Sequence, residues 1–594
     1  MNIILQINNL LQEYKSGNKL KVYKKLNQIL KKRKDDNLLR FNIAVIEQEL
    51  NLNKEARKNY KFILINEKNI KAMVNLYNLD IKEEKFNNAY KILNQILEIN
   101  TNLDFVYRDK AFVCLKINKI EDSINICKIL LKKNNRDLDV LNVLGLCALA
   151  QNKKNDAKKI FNKILSYNEN NLSALNSLGR INHEDRNSKE AEKFFLRALK
   201  VDKSSYQVLN NVAGFYREEG KYEKGIKFYL KALEINPNNY NILNNLSKSY
   251  FDINNFELAK SYALRALKLN ENDGDIKKIL AFIYLRNQDY DIGWSYFEGR
   301  LKTSDFQEKN DSLNKIQKKL FIGKNLNKNK KILIMREQGV GDEILYGSIY
   351  SDVLENIENV KIECDPRLLG LFKNSFSKYK DNFVELGSIS NDQKKIDTFD
   401  NVLYAGSLGK FFRKKIKDFK NKPYLIANEN RIKEFKSYLK KFDKKINIGL
   451  SWKSFKNRYS SEKSLSLYNF KNIFKLRGCN FFNLQYGDVT EEVTEFTNKN
   501  NFEIITNKEL DLYNDFESLA GLLKNIDVFL TVSNSTAHLA GSLGVRTILI
   551  KPSNHALFHY WNQPTNKTPW YNSIEVVDRD FLNNNELINN IINL

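Results

Sequence analysis

Across roughly the first 300 residues, small and apolar positions return every 34 residues. Gly145 and Gly179 are one step apart, and Ala213, Ser247 and Ala281 continue the series. A second series is Ala157, Ala191, Gly225, Ala259 and Gly293, and a third is Phe161, Phe195, Tyr229, Ala263 and Phe297. Ala198, Ala232 and Ala266 make a fourth. Small residues at fixed places let two helices cross closely, while the aromatic series fills the space between neighbouring pairs. The pattern therefore predicts stacked helix–turn–helix units. Weaker copies run back through Ala89 and Ala56, so about nine units are expected over residues 1–305. The polar, Lys- and Asn-rich stretch 306–330 reads as a linker.

Beyond Lys331 the period becomes that of strands alternating with helices. Residues 331–335, 360–364, 383–386 and 399–404 are predicted strands of one α/β half, 331–425. A crossover near Pro423 leads to a basic helix, Glu429 to Lys441, and then to a second half, 426–594. Its predicted strands are 446–452, 481–486, 502–506, 528–532 and 547–550, with a closing helix over 581–593. Two such halves bind ligands in the cleft facing the carboxyl ends of their strands. The most telling unit is Asp527 to Gly544. A β-branched and aromatic strand turns through Ser533, Asn534, Ser535 and Thr536 into a small-residue helix that Gly544 stops. A capped helix N-terminus after a strand presents backbone N–H groups and a positive dipole end, which suits phosphate, and His538 lies in its first turn.

Composition narrows the function classes. The chain has 594 residues and a net charge of +26, yet its Lys residues are spread along the whole length among Asp, Glu and abundant Asn. No dense basic tract with interleaved aromatics marks a nucleic-acid surface, so anionic small molecules or an acidic membrane face are the better partners. Cys114, Cys127, Cys147, Cys364 and Cys479 contain no C-x-x-C pair, which argues against a disulfide framework or a zinc site. The N-terminus lacks the pattern of a signal peptide and no apolar run reaches a membrane span; a cytoplasmic location is expected. His555 and His559 have no metal-ligand neighbours in sequence, and no metal is expected.

The turn Gln338-Gly-Val-Gly-Asp342 lacks the third glycine of a dinucleotide fingerprint and the Gly-Lys-Ser/Thr of a P-loop. Gly339 and Gly341 make it flexible, and Asp342 at the helix start suits a general base for an acceptor hydroxyl. Helix capping by the same carboxylate is the simpler reading of these residues alone.

The 34-residue units resemble the tetratricopeptide repeat, with Tyr206 to Asn239 the best copy through Val212, Tyr216, Ala232 and Pro237. In that family the position held by Asn142, Asn176, Asn210 and Asn244 lines the inner groove, so the four would form a ladder for the backbone of an extended peptide. Asn is abundant throughout the chain, and abundance accounts for the same four positions. Further motifs follow in order. They are Gly293-Trp294…Arg300, Glu337-Gln-Gly-Val-Gly-Asp342, Phe399 to Leu408, Pro423-Tyr-Leu425, Gly449-Leu-Ser-Trp-Lys453, Lys463-Ser464, Asn483-Leu-Gln485, Asp515-Phe516 and His538-Leu-Ala-Gly541. Together they resemble bacterial tetratricopeptide-repeat proteins with a heptosyltransferase-like (glycosyltransferase family 9) domain, distantly similar to protein O-linked N-acetylglucosamine transferases.

That resemblance implies a multidomain chain, an all-α repeat superhelix followed by an α/β GT-B module of two Rossmann-like halves, acceptor side 331–425 and donor side 426–594. It implies metal-independent, inverting transfer from a nucleotide-sugar co-substrate, with no other cofactor. Asp342 would be the base. Gly339, Gly341, Lys453, Lys463, Gln485, Ser533, Asn534, Ser535, Thr536 and His538 would hold the donor. The acceptor would be a protein, peptide or glycan recruited by the repeats. Two departures stand out: Ser533-Asn534 replaces the family's Asp-Thr, and Lys463-Ser464 replaces its Arg-Ser. The alternative function is a non-catalytic repeat scaffold with a degenerate transferase-like domain.

Overall fold

The computed structural model describes residues 3–15, 17, 19–308, 313–323, 325–337, 339–455, 463–552, 558–561 and 563–589. The chain divides into two compact units, 1–215 and 216–594. The division falls inside the helix Tyr206–Glu218. Helix pairs from Tyr216 onward belong to the same compact unit as the two sheets.

Among the described residues the first unit is all helix, in pairs such as Asn37–Glu49 with Asn53–Asn66 and Leu138–Ala150 with Lys154–Tyr167. Short polar residues start the first helix of many pairs. Asp36, Asn69, Asp137 and Asn171 each accept a hydrogen bond from the amide three residues on. Within each pair the turn needs one left-handed residue. Asn51, Glu84, Asn118, Asn152 and Arg186 hold φ between 57° and 63°. Asn tolerates this region better than other L-residues, which gives part of the chain's Asn content a backbone role. The small-residue series works as its spacing suggests. A Cβ on Gly145 would lie 2.7 Å from Phe161, and one on Gly179 2.7 Å from Phe195.

In the second unit the pairs Tyr240–Asp252 with Phe256–Leu269 and Gly274–Arg286 with Tyr290–Phe297 follow the same plan. The two parallel sheets come next. The first uses β1 (Ile332–Met335), β2 (Val360–Cys364), β3 (Phe383–Glu385) and β4 (Asn401–Tyr404), in the order β3-β2-β1-β4. The second uses β5 (Ile446–Ser451), β6 (Cys479–Asn483), β7 (Val528–Val532), β8 (Thr547–Ile550), β9 (Lys567–Thr568) and β10 (Tyr571–Val577), in the order β6-β5-β7-β8-β10-β9. Only the β9–β10 pair is antiparallel among the described residues. Strands β1 and β7 are buried along their whole length, as parallel strands covered on both faces must be.

Several local expectations are corrected. Residues 502–506 form no strand; a single bridge joins Ile505 to Phe482 at the edge of β6. The carboxyl end breaks into a 3₁₀ turn, Arg579–Asn583, and a short helix, Asn585–Asn589, with residues 590–593 outside the described set. The stretch 306–330 is more than a linker. Phe306 is buried edge-on to Tyr404 at 4.9 Å, and the Phe321 amide donates to the Val402 carbonyl at 2.9 Å, so it covers the β4 edge.

The last repeat is fastened to the first sheet by residues that stood out as motifs. The Trp294 indole donates to the Arg413 carbonyl at 2.8 Å, and its ring lies where a Cβ on Gly409 would fall. Arg300 is buried and makes a two-pronged pair with Glu337, Nη2 to Oε2 at 2.7 Å and Nε to Oε1 at 3.1 Å, with Ser407 and Glu298 completing the set. The Gly406 backbone packs so closely on Glu337 that a Cβ would sit 2.3 Å from its carboxylate. Burial works against both charges: the pair outweighs it at Arg300, which is raised, while Glu337 stays pushed up by burial against the pull of Arg300.

Candidate functional site

A cavity of about 400 Å³ opens between the carboxyl ends of the two sheets. Three loops that leave strands contribute to it: Gly339 to Asp342 after β1, Ser454 and Phe455 after β5, and Ser533 to Ser535 after β7. In the first sheet the strand order reverses between β1 and β4, and in the second between β5 and β7. Loops leave to opposite faces at such a reversal, which opens a crevice there. In the second sheet the loops after both β5 and β7 line this cavity, and in the first sheet the loop after β1 does.

The loop after β7 behaves as its residues suggest. Asn534 caps the helix Ser535–Leu543, accepting from the Ala537 amide at 3.0 Å, and its Nδ2 donates to Ser451 Oγ at 2.8 Å. Ser533, Asn534, Ser535 and His538 line the cavity. The N-terminus of the helix Val340–Gly347 faces the same space through Gly339, Val340, Gly341 and Asp342. The two helices touch at Gly341. A Cβ there would meet the His538 ring at 3.0 Å and Ser535 Cα at 3.4 Å, so this glycine permits the close approach of the two halves.

Lys463 lines the cavity, is buried, and holds its ammonium 4.3 Å from the Phe558 ring centre. His538 is buried with Nδ1 3.1 Å from the Tyr571 hydroxyl. Burial, aided by the Lys463 charge, pushes its imidazole down to about 3, so it is neutral at physiological pH. It is both a packed core residue and a cavity wall.

Three expected donor contacts are corrected. Lys453 is ion-paired to Glu492 at 2.5 Å and does not line the cavity, because the helix Thr490–Asn500 brings that carboxylate to it. Gln485 turns its Oε1 onto the backbone after β5, accepting from the Trp452 and Lys453 amides at 2.8 and 2.7 Å, so it braces that loop instead of facing the cleft. Thr536 is buried in the helix and lines nothing. In the repeats, Asn142, Asn176 and Asn210 lie half-buried at one position of successive first helices of the first unit. Asn142 accepts from Ser173 at 2.7 Å and Asn176 from Asn211 at 3.0 Å, so these two are already engaged by the next helix pair. Asn244 takes the matching place in the second unit, with its Oδ1 buried and without a hydrogen bond.

Sequence reasoning missed several walls of the cavity. Arg336 and Arg367 both grip Asp365, Arg367 at 2.8 and 2.9 Å. Burial would raise the Asp365 carboxyl, and the two arginines hold it at about 2 instead. Glu343, next to Asp342, turns under the helix; burial pushes it up to about 7 against the pull of Arg336. Phe455, Tyr486 and Tyr513 form an aromatic rim, with ring centres 5.8 and 6.1 Å apart. Arg336, directly after a strand, was the one legible signal; the rim residues come from three separate loops. Gln338 and His555 lie outside the described residues. Among the described residues no group of three or more His, Cys, Asp or Glu could hold a metal, and no helix is long and apolar enough to cross a membrane.

With this geometry established, comparison with known proteins identifies the repeats. Tetratricopeptide-repeat family patterns match residues 142–206 and 205–272. Protein FlbA of Caulobacter vibrioides is 26% identical over 258 residues, 41% of this chain and 42% of that protein, so the match spans less than half of either. A tetratricopeptide repeat protein from Parabacteroides merdae is 18% identical in structural superposition, covering 41% of this chain and 97% of that one with a TM-score of 0.34. Pseudomonas aeruginosa pilF is 22% identical, covering 38% of this chain and 87% of that one with a TM-score of 0.28. Both superpositions lie below the range from which a shared function is argued. The chain carries tetratricopeptide repeats, which suggest protein–protein interaction, followed by a mixed α/β region.

Proposed function

We propose that this chain is a glycosyltransferase of the GT-B type, moving a sugar from a nucleotide-sugar to a protein or glycan held by its repeats. One observation carries the reading. The cavity lies at the strand-order reversal of the second sheet and against the loop after β1 of the first, with a carboxylate on one wall and two helix N-termini with a buried lysine on the others. That is the placement expected for a nucleotide ligand in doubly wound sheets.

In this reading the acceptor hydroxyl attacks the anomeric carbon as the bond from that carbon to the diphosphate breaks. Asp342 takes the hydroxyl proton, and the nucleoside diphosphate leaves with the bonding electrons. Lys463 and the N–H groups of the helix Ser535–Leu543 stabilise the charge growing on the leaving group. His538, neutral and lodged beside Lys463, donates or accepts a hydrogen bond without adding charge.

The scaffold reading has an observation of its own. Asn534 spends its oxygen on the helix cap and its amide on Ser451, which leaves little of it for a ribose or phosphate. Donor binding separates this from the transferase reading only together with turnover. Wild type and Lys463→Ala should be titrated by calorimetry and thermal shift with UDP-, ADP-, GDP- and CMP-sugars. A ligand at a hundredfold excess over its Kd stabilises the fold by about 2.7 kcal/mol, which a melting curve resolves. The transferase reading expects one nucleotide to bind, Lys463→Ala to weaken it, and Asp342→Asn to cut turnover about 10²–10⁴-fold with binding intact. Binding of none of the four nucleotides would sink it.

A further inference from the structure

The side chains of Phe558 to Trp561 reach the cavity, the last repeat and the loop after β7. Phe558 and Tyr560 line the cavity with their rings stacked, 5.2 Å apart and 2° from parallel. Tyr560 and Asp342 line the same cavity, and burial together with the Asp342 charge beside it holds the Tyr560 phenol well above its ordinary value. The Trp561 indole donates to Ser533 Oγ at 3.1 Å, in the loop after β7. The same short segment therefore holds one group on each side of the cleft.

Between them, His559 is buried in an aromatic box of the last repeat. Its ring centre lies 5.3 Å from Phe282 and 6.0 Å from both Trp294 and Phe297. Its carbonyl accepts from Gln563 Nε2 at 2.6 Å, and the Gln563 Oε1 accepts from Gln288 Nε2 at 3.4 Å. Gln288 is the left-handed residue of the last repeat's turn, with φ 66°. Neither ring nitrogen of His559 has a hydrogen-bond partner. The box therefore grips the ring by shape alone, and a buried polar group without a partner is a cost that packing must offset.

We infer that Tyr560 and Trp561 are positioning residues that set Asp342 and Ser533 relative to each other, and that the last repeat holds both in place through His559. The inference rests on the reading of Asp342 as the base, but the contacts it invokes can be tested without turnover. In this arrangement the repeats do more than recruit an acceptor, because their final pair is part of the frame of the site. Contacts that fix a carboxylate base matter through orientation, since a misplacement of about 1 Å can cost on the order of a hundredfold in rate.

The experiment is hydrogen–deuterium exchange on the full chain, read for 339–347, 533–543, 558–563 and 274–297. His559→Ala should speed exchange in 339–347 and in 533–543 about fivefold, as the emptied aromatic box lets 558–561 shift. His559→Phe, which refills the box, should return both segments to wild-type rates. Tyr560→Phe should affect 339–347 only, and Trp561→Phe 533–543 only. Changes confined to 558–563 and 274–297 would overturn the inference. If His559→Ala does not fold, the Tyr560→Phe and Trp561→Phe pair decides the matter, and a wild-type pattern in both rejects it. Once a donor is found, Tyr560→Phe should lower kcat with the KM for the donor unchanged, as lost orientation at the base requires. An unchanged kcat would show that Tyr560 only packs. Absence of any donor would count against the transferase reading while leaving the exchange result to stand or fall by itself.

Discussion

The buried His559 makes a prediction whose size follows from the structure. Burial pushes its imidazole down to about 3 from an ordinary value near 6.5. A group with a depressed folded-state value, when its neutral form is the buried one, binds protons more readily in the unfolded chain. Stability from this residue is therefore complete above pH 6.5 and is lost steadily as the pH falls towards 3. At pH 5 the unfolded imidazole is about 1.5 units below its own midpoint, which costs the fold about 2 kcal/mol at 1.36 kcal/mol per unit. His559→Phe removes this term and keeps an aromatic ring in the box. His538 titrates with the same sign, and Glu343, raised to about 7, with the opposite one. Both are present in wild type and variant, so the difference between the two proteins isolates His559. All four Trp residues lie beyond residue 290, inside the second unit, and two of them contact or neighbour His559. Urea unfolding followed by their fluorescence at pH 8 and pH 5 is thus the direct assay. The stability of the variant relative to wild type should grow by about 2 kcal/mol between the two pH values. An equal pH dependence in both proteins would mean that His559 is not buried in its neutral form.

Further outcomes follow from the same contacts. Arg300→Ala leaves Glu337 buried without its partner and should cost about 3–5 kcal/mol by urea unfolding, with Arg300→Ala/Glu337→Ala costing less than the sum of its parts. Lys463→Ala should weaken binding of whichever nucleotide-sugar binds by tenfold or more, about 1.4 kcal/mol, measured by calorimetry. Lys453→Ala should leave the same affinity within about twofold, because its ammonium is committed to Glu492 outside the cavity. Equal losses in the two lysine variants would show that the cleft rearranges to bring Lys453 in.

Much of this protein is local and so was open to reading from residues alone. The 34-residue step, the small residues at helix crossings and the helix starts at Asp36, Asn69, Asp137 and Asn171 depend on contacts within one or two helices. The strand 528–532 and its cap at Asn534 are equally local, since a buried β-branched run and an Asn at a helix start carry their own signal. The site is different in kind. Asp342 and Glu343 are neighbours with the same chemistry, yet about 100° of helix rotation puts one on the cavity wall and the other beneath the helix. Lys453 and Lys463 read alike in sequence, and only the tertiary placement of Thr490–Asn500, which carries Glu492, decides that one meets a carboxylate while the other meets the cleft. Tyr560 and Trp561 reach Asp342 and Ser533, and His559 reaches a repeat that ends more than 250 residues earlier, through strand order and sheet placement that no local pattern encodes. Periodicity decides which face of each element is buried, whereas the partner that face meets is decided by topology.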